Sequence, residues 1–135
     1  FNLGGDGTLE APEPVHKVIP EQAPVEASDA EIAAGEVLYN NYCAMCHGLL
    51  ARSGGSIPDL RLMTVERHAM FNEIVLDGVL APLGMAGFSD VLSAADAAAI
   101  HTFIRARADQ DRAQALGDIE TARMTWHPPP ASPVE

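Results

Sequence analysis

The sequence has few cations, only two cysteines and no long apolar run. Eight Lys and Arg residues stand against 19 Asp and Glu residues in a chain of 135, which excludes the clustered positive charge that nucleic-acid binding requires. No run of about 18 apolar residues is present, which excludes a membrane-spanning helix within this sequence. No basic and apolar leader follows Phe1, and we therefore expect a mature chain or excised fragment from which any export signal has been removed.

Proline and charge divide the chain into three parts. Eight of the ten prolines lie outside a middle segment, as does most of the net charge of −11. Residues 1–27 are predicted to be the end of a preceding domain and a Pro-rich, extended linker. Residues 28–108 are predicted to form the compact domain. Residues 109–135 are predicted to be an acidic, Pro-rich extension, mostly irregular and with at most a short helix.

The compact domain has helical periodicity and no convincing alternating strand, so we predict an all-α fold with three main helices. Ser28, Thr64 and Ser93 are placed to cap the helix starts, and Gly78 to end the second helix. Gly35 is the predicted crossing point of the first and last helices. The apolar positions are Ile32, Leu38, Tyr39 and Tyr42 in the first helix, Met70, Phe71, Ile74 and Val75 in the second, and Ala97, Ile100, Phe103 and Ile104 in the third.

The predicted core is small for a domain that folds by itself. It has about 80 residues in three helices, and only five of them are aromatic. The Gly- and Pro-rich segments 48–63 and 79–92 also need a surface to pack on. A large apolar cofactor would meet both requirements.

Residues 43–47 form a C-x-x-C-H motif, which is the signature of covalent haem attachment. Two thiols three residues apart at a helix end can add to the two vinyl groups of one porphyrin. The adjacent His47 is then placed beneath the iron as its proximal ligand. We therefore predict one haem c, bound through Cys43 and Cys46.

Three other roles for the two cysteines fit the sequence less well. A thioredoxin-like redox pair occurs in a βαβ context, which is absent. A structural zinc site needs four ligands, and the chain has no second cysteine cluster. A disulfide between Cys43 and Cys46 would close too small a loop to stabilise the fold appreciably.

The second axial ligand must come from a distant part of the chain. Met85 is favoured because it lies in a loop before the last helix, where Gly84 and Gly87 let the backbone approach the haem closely. A His/Met pair favours reduced iron, which raises the potential, and it fills both axial positions. Met63 is the main rival because it ends a loop. The other candidates are Met70, expected in the core, His68 and His101, expected on helix surfaces, and Met124 and His127.

Further residues are predicted to support the haem and its ligands. The ring nitrogen of His47 that faces away from the iron needs a hydrogen-bond acceptor. The candidate is the carbonyl of Pro58, because proline fixes its loop; the alternative is that Pro58 only shapes a turn. Arg61 or Arg52 is expected either to pair with a haem propionate or to be solvated.

With these motifs, residues 28–108 resemble the class I cytochromes c, and more narrowly the C-terminal haem domain of quinohaemoprotein alcohol dehydrogenases. The resemblance is carried by the C-x-x-C-H motif, by residues 53–61 and by Gly84-Met85 ahead of the closing helix. Residues 1–5, before a Pro-rich linker, add a weaker match. One position departs from the pattern, since Ala86 follows Met85 where the family often has proline.

The resemblance implies a cytochrome c fold around one covalent haem, with His47 and Met85 as axial ligands and Pro58 as the acceptor for the histidine. It implies an electron-transfer domain, exported to the periplasm, that is not an enzyme by itself. The implied donor is a dehydrogenase domain containing pyrroloquinoline quinone (PQQ), in that family a β-propeller that oxidises an alcohol. The implied acceptor is a quinone, another cytochrome or a copper protein.

Two other functions stay open on the sequence. The chain is a free-standing periplasmic cytochrome c carrier if no dehydrogenase domain accompanies it. It is a ligand-binding or peroxidase-like haem protein if the distal ligand leaves the iron, which the glycines and Ala86 around Met85 make conceivable.

Overall fold

The computed structural model describes residues 17–125. These residues form the α-helices α1 (Asp29–Tyr42), α2 (Ala44–His47), α3 (Val65–Ala69), α4 (Phe71–Val75) and α5 (Ala94–Thr125), with 3₁₀ turns at Leu49–Ala51, Leu60–Leu62 and Ala81–Leu83. No strand occurs among them, which confirms the all-α prediction. The predicted domain end at residues 1–5 and the proline run at 128–133 lie outside the described range.

Side-chain caps fix the starts of the main helices, as the sequence predicts. Before α1, the Glu31 N–H donates to Ser28 Oγ at 3.3 Å, and the Ser28 N–H donates to the Glu31 carboxylate at 2.8 Å. Ser93 and Asp96 repeat this reciprocal arrangement before α5. Thr64 caps α3 through its hydroxyl. Each of these caps joins residues three positions apart, so sequence alone locates them.

Helices α1 and α5 cross at Gly35, which confirms the predicted crossing point. A Cβ atom at position 35 would lie 2.1 Å from the Ala99 carbonyl oxygen and 3.0 Å from the Phe103 Cβ. The two backbones are therefore in direct contact there. The largest fully buried side chains of the core are Tyr39, Ile100 and Ile104.

The second helix, predicted over residues 64–78, is two short helices that meet at Met70. Met70 has φ −93° and ψ 16°, and the residue is 42% exposed. The expectation that Met70 fills the core is therefore wrong. After Met70, Phe71, Ile74 and Val75 are buried as predicted.

The last helix continues well beyond residue 108. The prediction of a mostly irregular extension is wrong for residues 109–125, which are helical as part of α5. Buried Asp111 anchors this part to the domain through Arg52 and Arg61, so polar contacts hold it where apolar anchors are few. Although α5 has 32 residues, neither it nor any other helix in the described range is apolar enough to cross a membrane. The domain boundaries at 28 and 108 stay predictions.

The described part of the linker lies along α5. Arg105 Nη2 donates to the Ala23 carbonyl at 2.6 Å, and Arg112 forms an ion pair with Glu21 at 3.0 Å. Residues 17–27 contain no helix or strand, as the prediction of an extended linker requires. The linker therefore has fixed contacts with the helix that closes the domain.

His68 and His101 form a half-buried pair, and the expectation that they lie on helix surfaces is wrong. His68 Nδ1 lies 2.7 Å from His101 Nε2, and the His101 ring stacks on Phe71 with centroids 4.3 Å apart. Burial, followed by the charges of His68 and Arg105, lowers the pKa of His101 to about 4. Burial and Arg105 also lower the pKa of His68, against an opposing effect of Asp109.

This pair makes the stability of the fold depend on pH. An unfolded histidine binds a proton near pH 6.5, whereas folded His101 does so near pH 4. The contribution to the free energy of unfolding is therefore complete above about pH 6.5 and is lost as the pH falls through about 4. After allowance for solvent screening of the half-exposed rings, we expect the loss between pH 7 and pH 4 to be about 1–2 kcal/mol.

Urea denaturation at the two pH values, compared with His101→Gln, measures this loss. The variant should lack that part of the pH dependence, while the part due to carboxylates is common to both proteins. Equal pH dependence in the two proteins would show that the histidine pair does not titrate as expected.

Candidate cofactor-binding site

The C-x-x-C-H motif lies where α1 passes into α2. The N–H groups of Cys46 and His47 both donate to the Cys43 carbonyl, at 3.2 and 2.9 Å, so the motif forms one tight turn. Cys43 is buried and Cys46 is exposed, and their i, i+3 spacing places both on one side of the turn. Burial, with the charge of Cys46 second, raises the pKa of Cys43 to about 11. A thiol that stays protonated in this way is unsuited to a dithiol redox pair.

The ring of buried His47 is held by a backbone carbonyl. Its Nδ1 lies 3.0 Å from the carbonyl oxygen of Pro58, so the predicted contact is present. A carbonyl only accepts hydrogen bonds, and Nδ1 therefore carries the ring proton. Nε2 of the neutral ring then keeps the lone pair that a metal ion binds. Two thiols on one turn beside such an imidazole are a donor set that fits a covalently bound haem.

The turn after His47 is strained and is held by Tyr39. Leu50 and Ala51 have positive φ values of 57° and 60°, a conformation that costs a residue other than glycine about 1 kcal/mol or more. The Tyr39 hydroxyl donates to the Gly48 carbonyl at 2.7 Å. Burial raises the pKa of Tyr39, so the hydroxyl keeps its proton. Periodicity predicted Tyr39 as a core residue but not this second role.

A cluster of five charged residues joins the loops near His47 to α5. Arg61 donates to Asp59 through Nε and Nη2, at 3.0 and 2.6 Å, and to Asp111 through Nη1 at 2.8 Å. Arg52 donates to Asp111 at 2.9 Å and is therefore paired rather than only solvated. These bonds use three of the five N–H groups of Arg61, so it keeps donors for a further acceptor. Binding of a haem propionate by Arg61 stays a prediction. The charge cluster consists of Arg52, Asp59, Arg61, Arg107 and Asp111.

Asp111 is the buried acceptor of the charge cluster, and no sequence motif singles it out. Its side chain accepts hydrogen bonds from Arg52, Arg61 and Arg107, and the residue is only 6% exposed. Burial by itself would raise the pKa of Asp111, but the three arginines outweigh that effect and hold the pKa below its ordinary value. Its i, i+4 spacing from Arg107 was the one signal in the sequence, and it is typical of a helix.

Met85 lies in a loop that is fixed to the end of α4. The Phe88 N–H donates to the Val75 carbonyl at 2.9 Å. Gly87 packs on the backbone of Gly78, since a Cβ at position 87 would lie 3.0 Å from the Gly78 Cα. This close approach of two backbone segments was not predicted, and it holds the loop in place without a proline at position 86.

Two methionines suit a second axial ligand by their burial. Met85 and Met63 are both half-buried and pack against the core, so the choice of Met85 stays a prediction and Met63 its rival. Four other candidates are less suited, because Met70 and Met124 are exposed and because His68 and His101 bond to each other. His127 lies outside the described residues.

Known proteins match most of the described range. The family described as "Cytochrome C oxidase, cbb3-type, subunit III" matches residues 30–104. Quinohemoprotein alcohol dehydrogenase ADH IIB from Pseudomonas putida is 38% identical over 112 residues, which cover 82% of this chain and 16% of that protein. Cytochrome c550 from Pseudomonas aeruginosa is 41% identical over 63 residues, which cover 45% of this chain and 43% of that protein.

A solved structure resembles the chain in both fold and sequence. Quinohemoprotein alcohol dehydrogenase ADHIIG from Pseudomonas putida HK5 matches with a TM-score of 0.67 and 39% identity, over 83% of this chain and 16% of that one. The chain therefore spans about a sixth of the length of each of the two alcohol dehydrogenases.

Proposed function

This chain belongs to the cytochrome c domain family described as "Cytochrome C oxidase, cbb3-type, subunit III", and we propose that it relays electrons from a dehydrogenase. It carries one haem on Cys43 and Cys46, with His47 and Met85 as the axial ligands of the iron. Its fold is the cytochrome c fold, as the sequence predicts. It is a cytochrome c-type electron-transfer domain, related to those of quinohemoprotein alcohol dehydrogenases. The ligands, the donor and the acceptor belong to the proposal.

The observation that carries the proposal is the orientation of His47 beside the two thiols. Haem supplies an iron that is reduced and oxidised by one electron. Cys43 and Cys46 would tether it from one helical turn. His47 would offer Nε2 to the iron, because the Pro58 carbonyl keeps the proton on Nδ1 at 3.0 Å. Burial of His47 excludes water from this bond.

The support for Met85 is its half-buried place in a loop that is fixed by its own backbone. A thioether is a soft ligand that favours reduced iron and raises the potential, which suits an electron acceptor. If His47 and Met85 both bind the iron, it would have no position for oxygen or peroxide. The proposal is therefore a sealed relay that performs no catalysis by itself.

The proposed donor is a PQQ-dependent dehydrogenase domain, and the proposed acceptor is a respiratory quinone, another cytochrome or a copper protein. Two relatives are quinohemoprotein alcohol dehydrogenases of which the chain matches about a sixth, and an extended linker contacts α5. We propose a periplasmic location, because covalent haem attachment to both thiols is suited to an exported protein.

A free-standing carrier is the second candidate, and the match to cytochrome c550 favours it. A haem-stained gel of a periplasmic extract, identified with an antibody against this chain, separates the two candidates. A band several-fold above 14.3 kDa is expected for the relay domain of a dehydrogenase. A band near 14.3 kDa would overturn the dehydrogenase context and support the carrier.

The haem function itself is tested on the isolated chain. After denaturing electrophoresis the chain should stain for haem, whereas the double variant Cys43→Ala/Cys46→Ala should not. The reduced chain should show no spectral shift with carbon monoxide, because both axial positions are filled. A fast and complete shift would contradict the sealed relay and favour a ligand-binding haem protein.

A further inference from the structure

The carboxylate of Asp111 is buried at the centre of the charge cluster. It lies on α5, seventeen residues after the helix begins at Ala94. It bonds to arginines from two loops of the segment that joins α2 to α3, and to Arg107 on its own helix. A buried carboxylate with several arginine partners is held in one geometry, because each guanidinium is a planar fork with fixed donor directions.

The first of these loops contains the carbonyl that binds His47. Asp59 directly follows Pro58, and its Oδ1 accepts from the backbone N–H and the Nε of Arg61, at 3.1 and 3.0 Å. Arg61 in turn donates to Asp111 at 2.8 Å. The position of the Pro58 carbonyl is therefore connected to α5 through one ion-paired chain, from Asp59 to Arg61 to Asp111.

The second loop is the strained turn that follows His47. Leu50 and Ala51 occupy the left-handed region, and such a conformation persists only where the surroundings fix it. Arg52, the next residue, makes two bonds to the Asp111 carboxylate, at 3.2 Å from Nε and 2.9 Å from Nη2. Asp111 thus bonds both to the turn that follows His47 and to the segment that carries Pro58.

We propose that Asp111 is a positioning residue for His47, which keeps the Pro58 carbonyl on Nδ1 and thereby sets the reduction potential of the haem. This inference rests on the proposed ligation by His47. The hydrogen bond at Nδ1 makes the imidazole a stronger donor to the metal, which stabilises oxidised iron. Loss of the Asp111 carboxylate should therefore loosen that bond and raise the potential.

The variant Asp111→Asn tests this in the full chain with haem attached. The Nδ1 proton of His47, followed by NMR in the reduced protein, should exchange with solvent at least about tenfold faster than in the wild type. The equilibrium between oxidised and reduced iron should shift about tenfold towards the reduced form, which is about 59 mV for one electron.

Arg107→Gln is the matched control for charge. Arg107 also bonds to Asp111, but it lies on α5 and holds neither loop. If Asp111 affects the haem only through its charge, Asp111→Asn should raise the reduction potential and Arg107→Gln should lower it. The exchange rate of the His47 Nδ1 proton should then be unchanged in both variants. Unchanged exchange in Asp111→Asn would overturn the proposal.

A folding failure of Asp111→Asn is covered by Asp111→Glu, which keeps the charge and lengthens the side chain. In Asp111→Glu the Nδ1 proton of His47 should exchange with solvent faster than in the wild type and more slowly than in Asp111→Asn. A wild-type exchange rate together with a wild-type reduction potential would count against the proposal. Failure of the proposed function is recognised separately, because the wild-type chain would then carry no covalent haem or would show no one-electron titration.

Discussion

Replacing Met85 by alanine should lower the reduction potential of the haem on the order of 0.2 V, since the choice of axial ligand spans about 0.8 V among haem proteins. The thioether stabilises reduced iron, and the smaller side chain cannot replace it. The backbone of the loop should stay in place, because the Phe88–Val75 hydrogen bond and the Gly78–Gly87 contact do not involve the Met85 side chain. The reduced variant should therefore bind carbon monoxide at the vacated position.

Met63→Ala is the matched control, because Met63 is the other half-buried methionine that packs against the core. A redox titration and a carbon monoxide titration of both variants decide between the two ligands. Met63→Ala should keep the wild-type potential and stay closed to carbon monoxide. The reverse result would assign the ligand to Met63, and no change in either variant would show that neither methionine binds the iron.

The features that the sequence predicts well are those made by residues close together in the chain. The caps at Ser28 and Ser93 bond to side chains three residues away, and the C-x-x-C-H motif lies within one turn. The crossing at Gly35 could be predicted because a glycine on an apolar helix face permits close contact with another helix. The family resemblance added the fold, which the solved relative confirms.

Several features that the sequence does not predict are polar contacts between distant residues. Asp111 lies 59 residues from Arg52 and 50 from Arg61, and His68 lies 33 residues from His101. Apolar periodicity carries no signal for such pairs. For this reason residues 109–125 were expected to be mostly irregular and the two histidines to be exposed.

The choice between Met85 and Met63 as axial ligand is decided neither by the sequence nor by the fold. Both residues lie in loops, where no periodicity indicates the direction of a side chain, and both are half-buried in the structure. Their assignment depends on a group that the protein binds rather than on contacts within the chain. The redox and carbon monoxide titrations of Met85→Ala and Met63→Ala are therefore needed to identify the second axial ligand.

Replacing Gly35 by alanine should destabilise the fold by about 3 kcal/mol or more, because the new methyl group meets backbone rather than a movable side chain. It would lie 2.1 Å from the Ala99 carbonyl oxygen. Relief requires α1 and α5 to separate, and α5 carries the buried Ile100 and Ile104. Urea denaturation followed by circular dichroism measures the loss.

Gly117→Ala makes the same chemical change at an open position of α5. Apart from the neighbouring backbone of α5 itself, no heavy atom of the described residues lies within 4 Å of a Cβ built at Gly117. The substitution should therefore be neutral or should stabilise the helix by up to about 1 kcal/mol. A similar small effect at Gly35 would mean that the helices cross with more space between them than the structure gives. A large loss of stability at Gly35 alone would show that the close contact of α1 and α5 determines the stability of the domain. The positions of the C-x-x-C-H turn and of the charge cluster both depend on this contact.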